Sequence, residues 1–162
     1  LISVIFSFGL SDTIFYNFPS LPENLILFRG SSLGYRNNQP YRPEDIFTEF
    51  SYVSTSVDVK VAEAFSHSIN KNDNGQIMAI YFQKGLMQRG LVLCDEKESE
   101  VLLPHKISFR VMDEVPISDS HIMLSLVQIC KTEQSCEFEI RKDIVKKWDK
   151  IKREQLKYDN DI

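Results

Sequence analysis

The apolar run Ile77-Met78-Ala79-Ile80-Tyr81-Phe82 most constrains the fold of this chain. A continuous apolar run of this length is typical of a strand that is buried on both faces. A second such run, Leu25 to Phe28, ends at the charged residue Arg29. Strands of this kind need apolar material on both sides of a sheet, and 162 residues suffice to supply it within one domain.

The rest of the pattern predicts an α+β fold. A helix is expected after the residues 50–55 strand, capped by Ser56 or Asp58, with Val57, Val61, Ala64, Phe65 and Ile69 as its apolar stripe. Residues 30–43 are predicted to form a surface loop, followed by one helical turn over 44–49. Further strands are predicted over 91–93, 99–103, 107–111 and 122–129. After Cys136, a charge-dense helix is predicted, with a stripe of Ile140, Ile144, Trp148 and Ile151.

Charge and cysteine content exclude some classes of function. A net charge of −4 argues against a nucleic-acid-binding domain, and no apolar run reaches the roughly 20 residues of a membrane span. Cys94, Cys130 and Cys136 lack the spacing of a zinc site, and we interpret them as reduced thiols in a reducing compartment. Because the chain begins with Leu1, we expect a piece of a longer protein or a processed product, with any targeting signal outside this fragment.

Three short strings carry the chemistry: Phe28-Arg29-Gly30, Tyr52-Val53-Ser54-Thr55-Ser56 and Glu98-Ser99-Glu100-Val101-Leu102-Leu103-Pro104. Alternate residues of a strand point to the same face, so Glu98 and Glu100 should present their carboxylates side by side. Paired carboxylates suit a reaction that passes through an oxocarbenium-like sugar cation, and Arg29 can hold a phosphate with two hydrogen bonds. Together they indicate a glycosidic bond next to a phosphate, as in NAD.

Each string alone also has an ordinary structural explanation. A Glu-x-Glu pair is most often a solvated strand face, an arginine at a strand end is often a surface salt-bridge partner, and a Ser-Thr-Ser run is common in strands and helix caps. All three strings in this order are much less expected to occur by chance than any one of them alone.

The ordered strings, with Phe109 five residues after the last one, resemble the Arg-Ser-Glu class of ADP-ribosyltransferases. This cholera-toxin-like, Glu-x-Glu group includes bacterial toxins and effectors. The resemblance covers residues 25–129 and implies two small, roughly perpendicular β-sheets that form an NAD cleft with flanking helices. It implies a catalytic domain over residues 1–136, on which a basic helix and tail, residues 137–162, are docked.

The implied activity is mono-ADP-ribosyl transfer from NAD to a protein side chain, with release of nicotinamide and no metal. By the resemblance, Glu100 is the catalytic residue, which binds the 2′-hydroxyl of the nicotinamide ribose and stabilises the oxocarbenium ion. Glu98 orients the acceptor and takes its proton. A glutamate at that earlier position usually accompanies arginine acceptors, so arginine is the expected target.

The resemblance also implies an NAD-binding set. Arg29 contacts the phosphates and ribose of NAD, and the backbone of Gly30 binds the nicotinamide amide. Ser54 orients Glu100, while Thr55 and Ser56 shape the site. Phe65 stands where family members place an aromatic ring against nicotinamide, although it is equally explained as a core residue of the helix described above.

Two alternative functions remain open at the level of the sequence. An NAD glycohydrolase would use the same residues with water as acceptor, and a non-catalytic module would keep the fold and bind a partner through the Trp148 helix. The expected partners are NAD and a protein target, without nucleic acid, and a monomer is favoured. The expected setting is soluble, in a reducing cytosol such as that of a host after secretion.

Two departures from the family pattern affect these expectations. Family members usually carry a helical region before the Arg-bearing strand, whereas 24 residues precede that strand here. The stretch from Gln88 to Lys97, expected to present Glu98 to the acceptor, is also compact.

Overall fold

The computed structural model describes residues 20–66, 73–93, 99–117, 121–136, 138 and 140–160. Within these ranges the strands are β1 (Leu27–Ser32), β2 (Ile46–Glu49), β3 (Val53–Ser56), β4 (Gly75–Phe82), β5 (Leu91–Leu93), β6 (Glu100–Leu103), β7 (Ile107–Ile117) and β8 (Ile122–Cys130). The helices are α1 (Val59–Ser66) and α2 (Lys142–Asn160), and a short 3₁₀ turn covers Gly34–Arg36. The predicted α+β class is confirmed.

The strands are hydrogen-bonded in the order β2-β7-β8-β4-β1-β3-β6-β5. All the pairings are antiparallel except that of β4 with β8. Strands β1 and β3 meet at a single residue pair, Phe28 with Ser56. This one pair divides the strands into a five-stranded part and a three-stranded part, which correspond to the two sheets expected from the sequence.

Strand β4 lies between β8 and β1 in the five-stranded part, and all eight of its residues are buried. Its side chains alternate between two apolar clusters, as a strand covered on both faces requires. One cluster joins the sheet to the helices and includes Ile77, Ala79, Tyr81, Ala62 and Trp148. The other joins the two parts of the sheet and includes Met78, Ile80, Val53 and Val101. The prediction of a doubly buried strand is therefore confirmed.

Helix α2 packs on the first cluster through its apolar stripe. Ile144 and Trp148 are buried, and the indole Nε1 of Trp148 donates to Oδ2 of Asp113 at 2.8 Å. Just before the helix, Arg141 donates to the carbonyl oxygens of Phe82 (2.6 Å) and Glu23 (2.9 Å). Trp148 is 3% exposed and is therefore part of the core. Neither described helix is long and apolar enough to cross a membrane.

The segment after Pro43 is a strand rather than the predicted helical turn. Oδ2 of Asp45 accepts a hydrogen bond from the backbone N–H of Arg42 at 2.7 Å, which closes a turn ahead of β2. Glu44 lies in the left-handed region, with φ 78°, so it does not continue a right-handed helix. Strand β2 then pairs with β7, which continues to Ile117, six residues beyond its predicted end.

The buried face of α1 also differs from the predicted stripe. Ala62 and Ser66 face the sheet, whereas Val57 and Phe65 are 47% and 57% exposed. The reason lies in Gly30, where an added Cβ atom would stand 1.7 Å from the carbonyl oxygen of Ala62. The helix backbone approaches β1 so closely that small side chains, rather than large apolar ones, occupy the contact.

The cysteine interpretation is wrong for two of the three residues. Cys130 and Cys136 are joined in a disulfide, with their Cα atoms 5.0 Å apart, while Cys94 lies outside the described residues. The chain turns back over the six positions after β8, a reversal that spacing alone does not reveal. Since two cysteines are oxidised, they give no support to a reducing compartment.

Candidate active site

Strands β3 and β6 place Ser54 and Glu100 on one face. The strands pair antiparallel, with Ser56 opposite Glu100 and Ser54 opposite Leu102, so Ser54 and Glu100 are diagonal neighbours. Oγ of Ser54 donates a hydrogen bond to Oε1 of Glu100 at 3.0 Å. The structure thus brings together two residues that are 46 positions apart in the sequence.

Glu100 is a carboxylate with little access to solvent. It is 4% exposed and is the first residue of β6, preceded by Ser99 in the left-handed region with φ 45°. Burying a carboxylate is costly unless hydrogen bonds or charges compensate it, and the Ser54 hydroxyl supplies one such bond. A buried acid held in this way is typical of functional sites.

The next two hydroxyls of the Ser-Thr-Ser string support the site without joining the Ser54 contact. Oγ1 of Thr55 donates to the carbonyl oxygen of Val101 at 2.6 Å and so ties β3 to β6. Oγ of Ser56 accepts from the N–H of Asp58 at 3.0 Å, at the point where the chain turns into α1. Both residues are 3% exposed, and they shape the corner in which Glu100 lies.

Arg29 completes a line of contacts across three strands. It follows Phe28, the residue at which β1 meets β3, and its Nη1 donates to the carbonyl oxygen of Ser54 at 3.4 Å. Arg29 is partly buried. Contacts therefore run from the Arg29 guanidinium to the backbone of Ser54, and from the Ser54 hydroxyl to the buried carboxylate of Glu100, across β1, β3 and β6.

Gly30 of β1 faces the backbone of Ala62 in α1, and Phe65 belongs to the same helix. Gly30 is partly exposed, and it has no side chain because α1 occupies that space. Phe65 is not a core residue, since 57% of its surface is exposed, so the core explanation of this residue is wrong. Its ring therefore lies on the surface of α1.

Glu98 lies outside the described residues, as does all of the segment 94–98. Of the compact stretch expected to present it, the structure describes residues 88–93, which end in β5. Among the described residues, no group of three His, Cys, Asp or Glu side chains gathers where it would hold a metal ion.

Sequence reasoning missed a recess that Arg29 lines. Its lining comes from five strands and from the loop after β1: Arg29, Ser31, Tyr35, Tyr41, Phe47, Glu49, Val53, Met78, Ile80 and Phe109. Its free volume is about 20 Å³, room for about one water molecule. The sequence signal for this recess was that Tyr35 and Arg36 are adjacent within the predicted loop.

No protein-family model and no curated protein matches the sequence. Several solved ADP-ribosyltransferases nevertheless resemble the structure. The Vis toxin of Vibrio splendidus is 21% identical, with a TM-score of 0.52 over 72% of this chain and 52% of that chain. The Clostridium limosum C3 exoenzyme is 18% identical, with a TM-score of 0.54 over 74% and 65%. An ADP-ribosyltransferase from Clostridium botulinum is 18% identical, with a TM-score of 0.53 over 80% and 71%.

This likeness confirms the fold that the three strings implied. The chain spans about half the length of the Vis toxin. At this level of identity, the comparison does not assign an activity or an acceptor.

Proposed function

We propose that this domain, which has the ADP-ribosyltransferase fold, transfers ADP-ribose from NAD to a protein side chain and releases nicotinamide. The observation that supports the proposal most is the line of contacts from Arg29 through Ser54 to the buried Glu100. This line joins a phosphate-binding group to a carboxylate suited to stabilising a sugar cation. The proposed setting is that of a secreted toxin or effector that acts in a host cytosol.

The reaction breaks the bond between C1′ of the nicotinamide ribose and the ring nitrogen of nicotinamide. The bonding electrons leave with nicotinamide, which becomes neutral, and positive charge develops on the ribose. The carboxylate of Glu100 stabilises this charge. Its effect is large because electrostatic interactions are stronger in a site shielded from water than in solvent. Attack by the acceptor at C1′ then forms the new glycosidic bond.

Ser54 and Arg29 act on different parts of NAD. The Ser54 hydroxyl holds Oε1 of Glu100, so that the carboxylate does not rotate as charge develops. Arg29 holds the diphosphate in both the ground and transition states, and its loss should chiefly weaken NAD binding.

The acceptor is proposed to be an arginine. The argument rests on Glu98, which would take the proton that the guanidinium group loses on attack. One solved structure of Vis is a complex with agmatine, a small molecule that carries the same guanidinium group.

Labelled NAD and matched variants test the proposal. Glu100→Ala should abolish both the release of nicotinamide and the labelling of protein in a cell lysate, whereas Glu98→Ala should lose labelling and retain hydrolysis. Glu44→Ala, which removes a carboxylate from an exposed turn, is the control and should behave like the wild type. Full activity of Glu100→Ala would contradict the assignment.

A time course separates the transferase from an NAD glycohydrolase. A transferase accumulates protein-bound label in parallel with nicotinamide, whereas a glycohydrolase accumulates free ADP-ribose. Peptide mass spectrometry of the labelled protein then identifies the acceptor residue, and a modified side chain other than arginine would overturn the acceptor proposal alone.

A further inference from the structure

The outer face of α2 carries a row of cations that the proposed function does not use. Four exposed basic side chains form this row, which we call the basic ridge: Lys142, Lys146, Lys150 and Arg153. In a helix of about 3.6 residues per turn, these positions fall within about 80° of the circumference. The first and the last are about 16 Å apart along the axis, at about 1.5 Å per residue. The ridge is therefore a straight row along one side of the helix.

The basic ridge points away from the core. The buried residues Ile144 and Trp148, together with the partly buried Ile151, lie about half a turn around the helix from the ridge. They pack on the apolar cluster that joins the sheet to the helices. Because the apolar stripe of α2 is committed to the core, a partner of the ridge meets charge rather than apolar surface.

Acidic side chains of α2 do little to neutralise the basic ridge. Two of them pair with cations outside the ridge, namely Asp143 with Arg141 (3.3 Å) and Asp149 with Lys152 (3.4 Å). Within the part of the chain that the structure describes, Lys150 is the one ridge residue with an ion pair, to Oε1 of Glu154 at 3.9 Å. An exposed pair of this kind contributes little energy, so the ridge keeps its positive potential.

Charge is distributed unevenly between α2 and the rest of the chain. Residues 142–160 contain seven Lys or Arg and four Asp or Glu, a net charge of +3, whereas the whole chain has a net charge of −4. The remainder of the chain therefore has a net charge of −7. An anionic surface attracts α2 and repels the remainder, which orients the domain with the ridge toward that surface.

The chemistry of the basic ridge favours a partner that is recognised by charge alone. Three of its four cations are lysines, which lack the planar fork with which arginine reads a carboxylate or a phosphate. The ridge has no aromatic ring to stack on a base and no amide to read a base edge. Its convex surface also offers no groove for a peptide. A membrane surface with anionic lipids requires only clustered cations.

We propose that the basic ridge holds this domain on a membrane surface that contains anionic lipid, with α2 parallel to the membrane plane and not inserted. This inference goes beyond the proposed function and does not depend on it. In the host cytosol proposed above, the partner surface would be the cytoplasmic leaflet, which is rich in anionic lipid. Binding there would concentrate the domain near targets at the membrane.

Sedimentation with lipid vesicles tests the inference on the whole chain. The wild type should bind vesicles of phosphatidylcholine mixed with phosphatidylserine, and it should not bind vesicles of phosphatidylcholine alone. Raising the salt from about 0.1 M to about 1 M should release the protein, because the Debye length falls from about 10 Å to about 3 Å.

A triple variant tests the ridge itself. It replaces Lys142, Lys146 and Arg153 by glutamine and leaves the paired Lys150 in place. A cation near an anionic surface strengthens binding by about fivefold, so the partition coefficient should fall by about 100-fold.

A matched triple variant separates the ridge from net charge. It replaces Lys84, Lys106 and Lys131, which are exposed and lie outside α2, by glutamine, and it should bind vesicles like the wild type. Because all six positions are exposed, both triple variants should keep the urea midpoint of the wild type.

The outcomes decide between lipid and other polyanions. A loss of binding confined to the ridge variant would support the inference. Equal losses in the two triple variants, or no binding of the wild type to phosphatidylserine vesicles, would overturn it. Displacement of the protein from these vesicles by an equal charge concentration of duplex DNA or of polyglutamate would also overturn the assignment to lipid.

Discussion

Two regions of the molecule that both adjoin Arg29 are built in different ways. In one region, Arg29, Ser54 and Glu100, which we call the strand corner, each lie on a hydrogen-bonded strand. In the other region, the loop over residues 33–41, which we call the loop wall, owes its position to one buried side chain, Gln76, that binds the backbone of Tyr41. The difference teaches that the residues of the proposed chemistry are held by the sheet, whereas the wall of the recess depends on a tethered loop.

The largest effect is expected from Glu100→Gln, which tests the strand corner directly. The amide fits the same space and can still accept from Ser54, but it has no negative charge to offset the developing cation. Nicotinamide release measured in single turnovers should fall by about 10²- to 10³-fold, as for loss of a strong electrostatic contact in other active sites. A loss below tenfold would mean that the chemistry does not depend on this carboxylate.

Gly30→Ala should disrupt the strand corner through its backbone. The new Cβ would lie 1.7 Å from the carbonyl oxygen of Ala62, so β1 and α1 must separate. The free energy of unfolding, measured in urea, should fall by about 1–3 kcal/mol or more. Ser31→Ala, the next residue along β1, adds no atom and serves as the control. An unchanged urea midpoint in Gly30→Ala would show that α1 is not held against the strand.

Ser54→Ala should have an intermediate effect on activity. It removes the hydrogen bond to Glu100, and a bond to a charged group contributes about 1.5–3 kcal/mol, or about 10- to 100-fold in rate. In the Glu100→Gln background the loss should be much smaller, because Ser54 acts through that carboxylate. Thr55→Val is the control, since its hydroxyl binds the backbone of Val101 and its loss should lower stability rather than the rate. Additive losses in the double variant would contradict the positioning role.

The smallest effect on activity is expected from the disulfide. Replacing both Cys130 and Cys136 by serine should lower the free energy of unfolding by about 2 kcal/mol, the value for closing so short a loop. Neither cysteine lines the recess or contacts the strand corner, so kcat/KM for NAD should change by less than twofold. A larger loss of activity would show that the site depends on the segment that the disulfide ties to the end of β8.

The residues of the strand corner could be predicted from the sequence, because they lie in or next to strands that local patterns of apolar residues indicate. The apolar runs of β4 and β6 are properties of strands, and the three strings keep their order along the chain. The pairing of Ser54 with Glu100 needed only the resemblance to a known pattern. Glu98 remains a prediction, since it lies outside the described residues.

The features that the sequence did not predict depend on contacts between segments that are distant along the chain. The buried face of α1 is set by the absence of a side chain at Gly30, which selects Ala62 over the larger apolar residues of the helix. Strand β2 forms because β7 offers it a partner, which overrides the helical signal after Pro43. The loop wall is anchored by Gln76, 35 residues from Tyr41, and nothing local to either segment indicates that contact.

A crystal structure of the Glu100→Gln variant with NAD tests the central claim most directly, since this variant should bind NAD without cleaving it. We expect C1′ of the nicotinamide ribose within about 3.5 Å of the side chain at position 100, as a near-attack geometry requires. The diphosphate should contact Arg29. A nicotinamide ribose away from position 100, or a diphosphate that does not contact Arg29, would contradict the account.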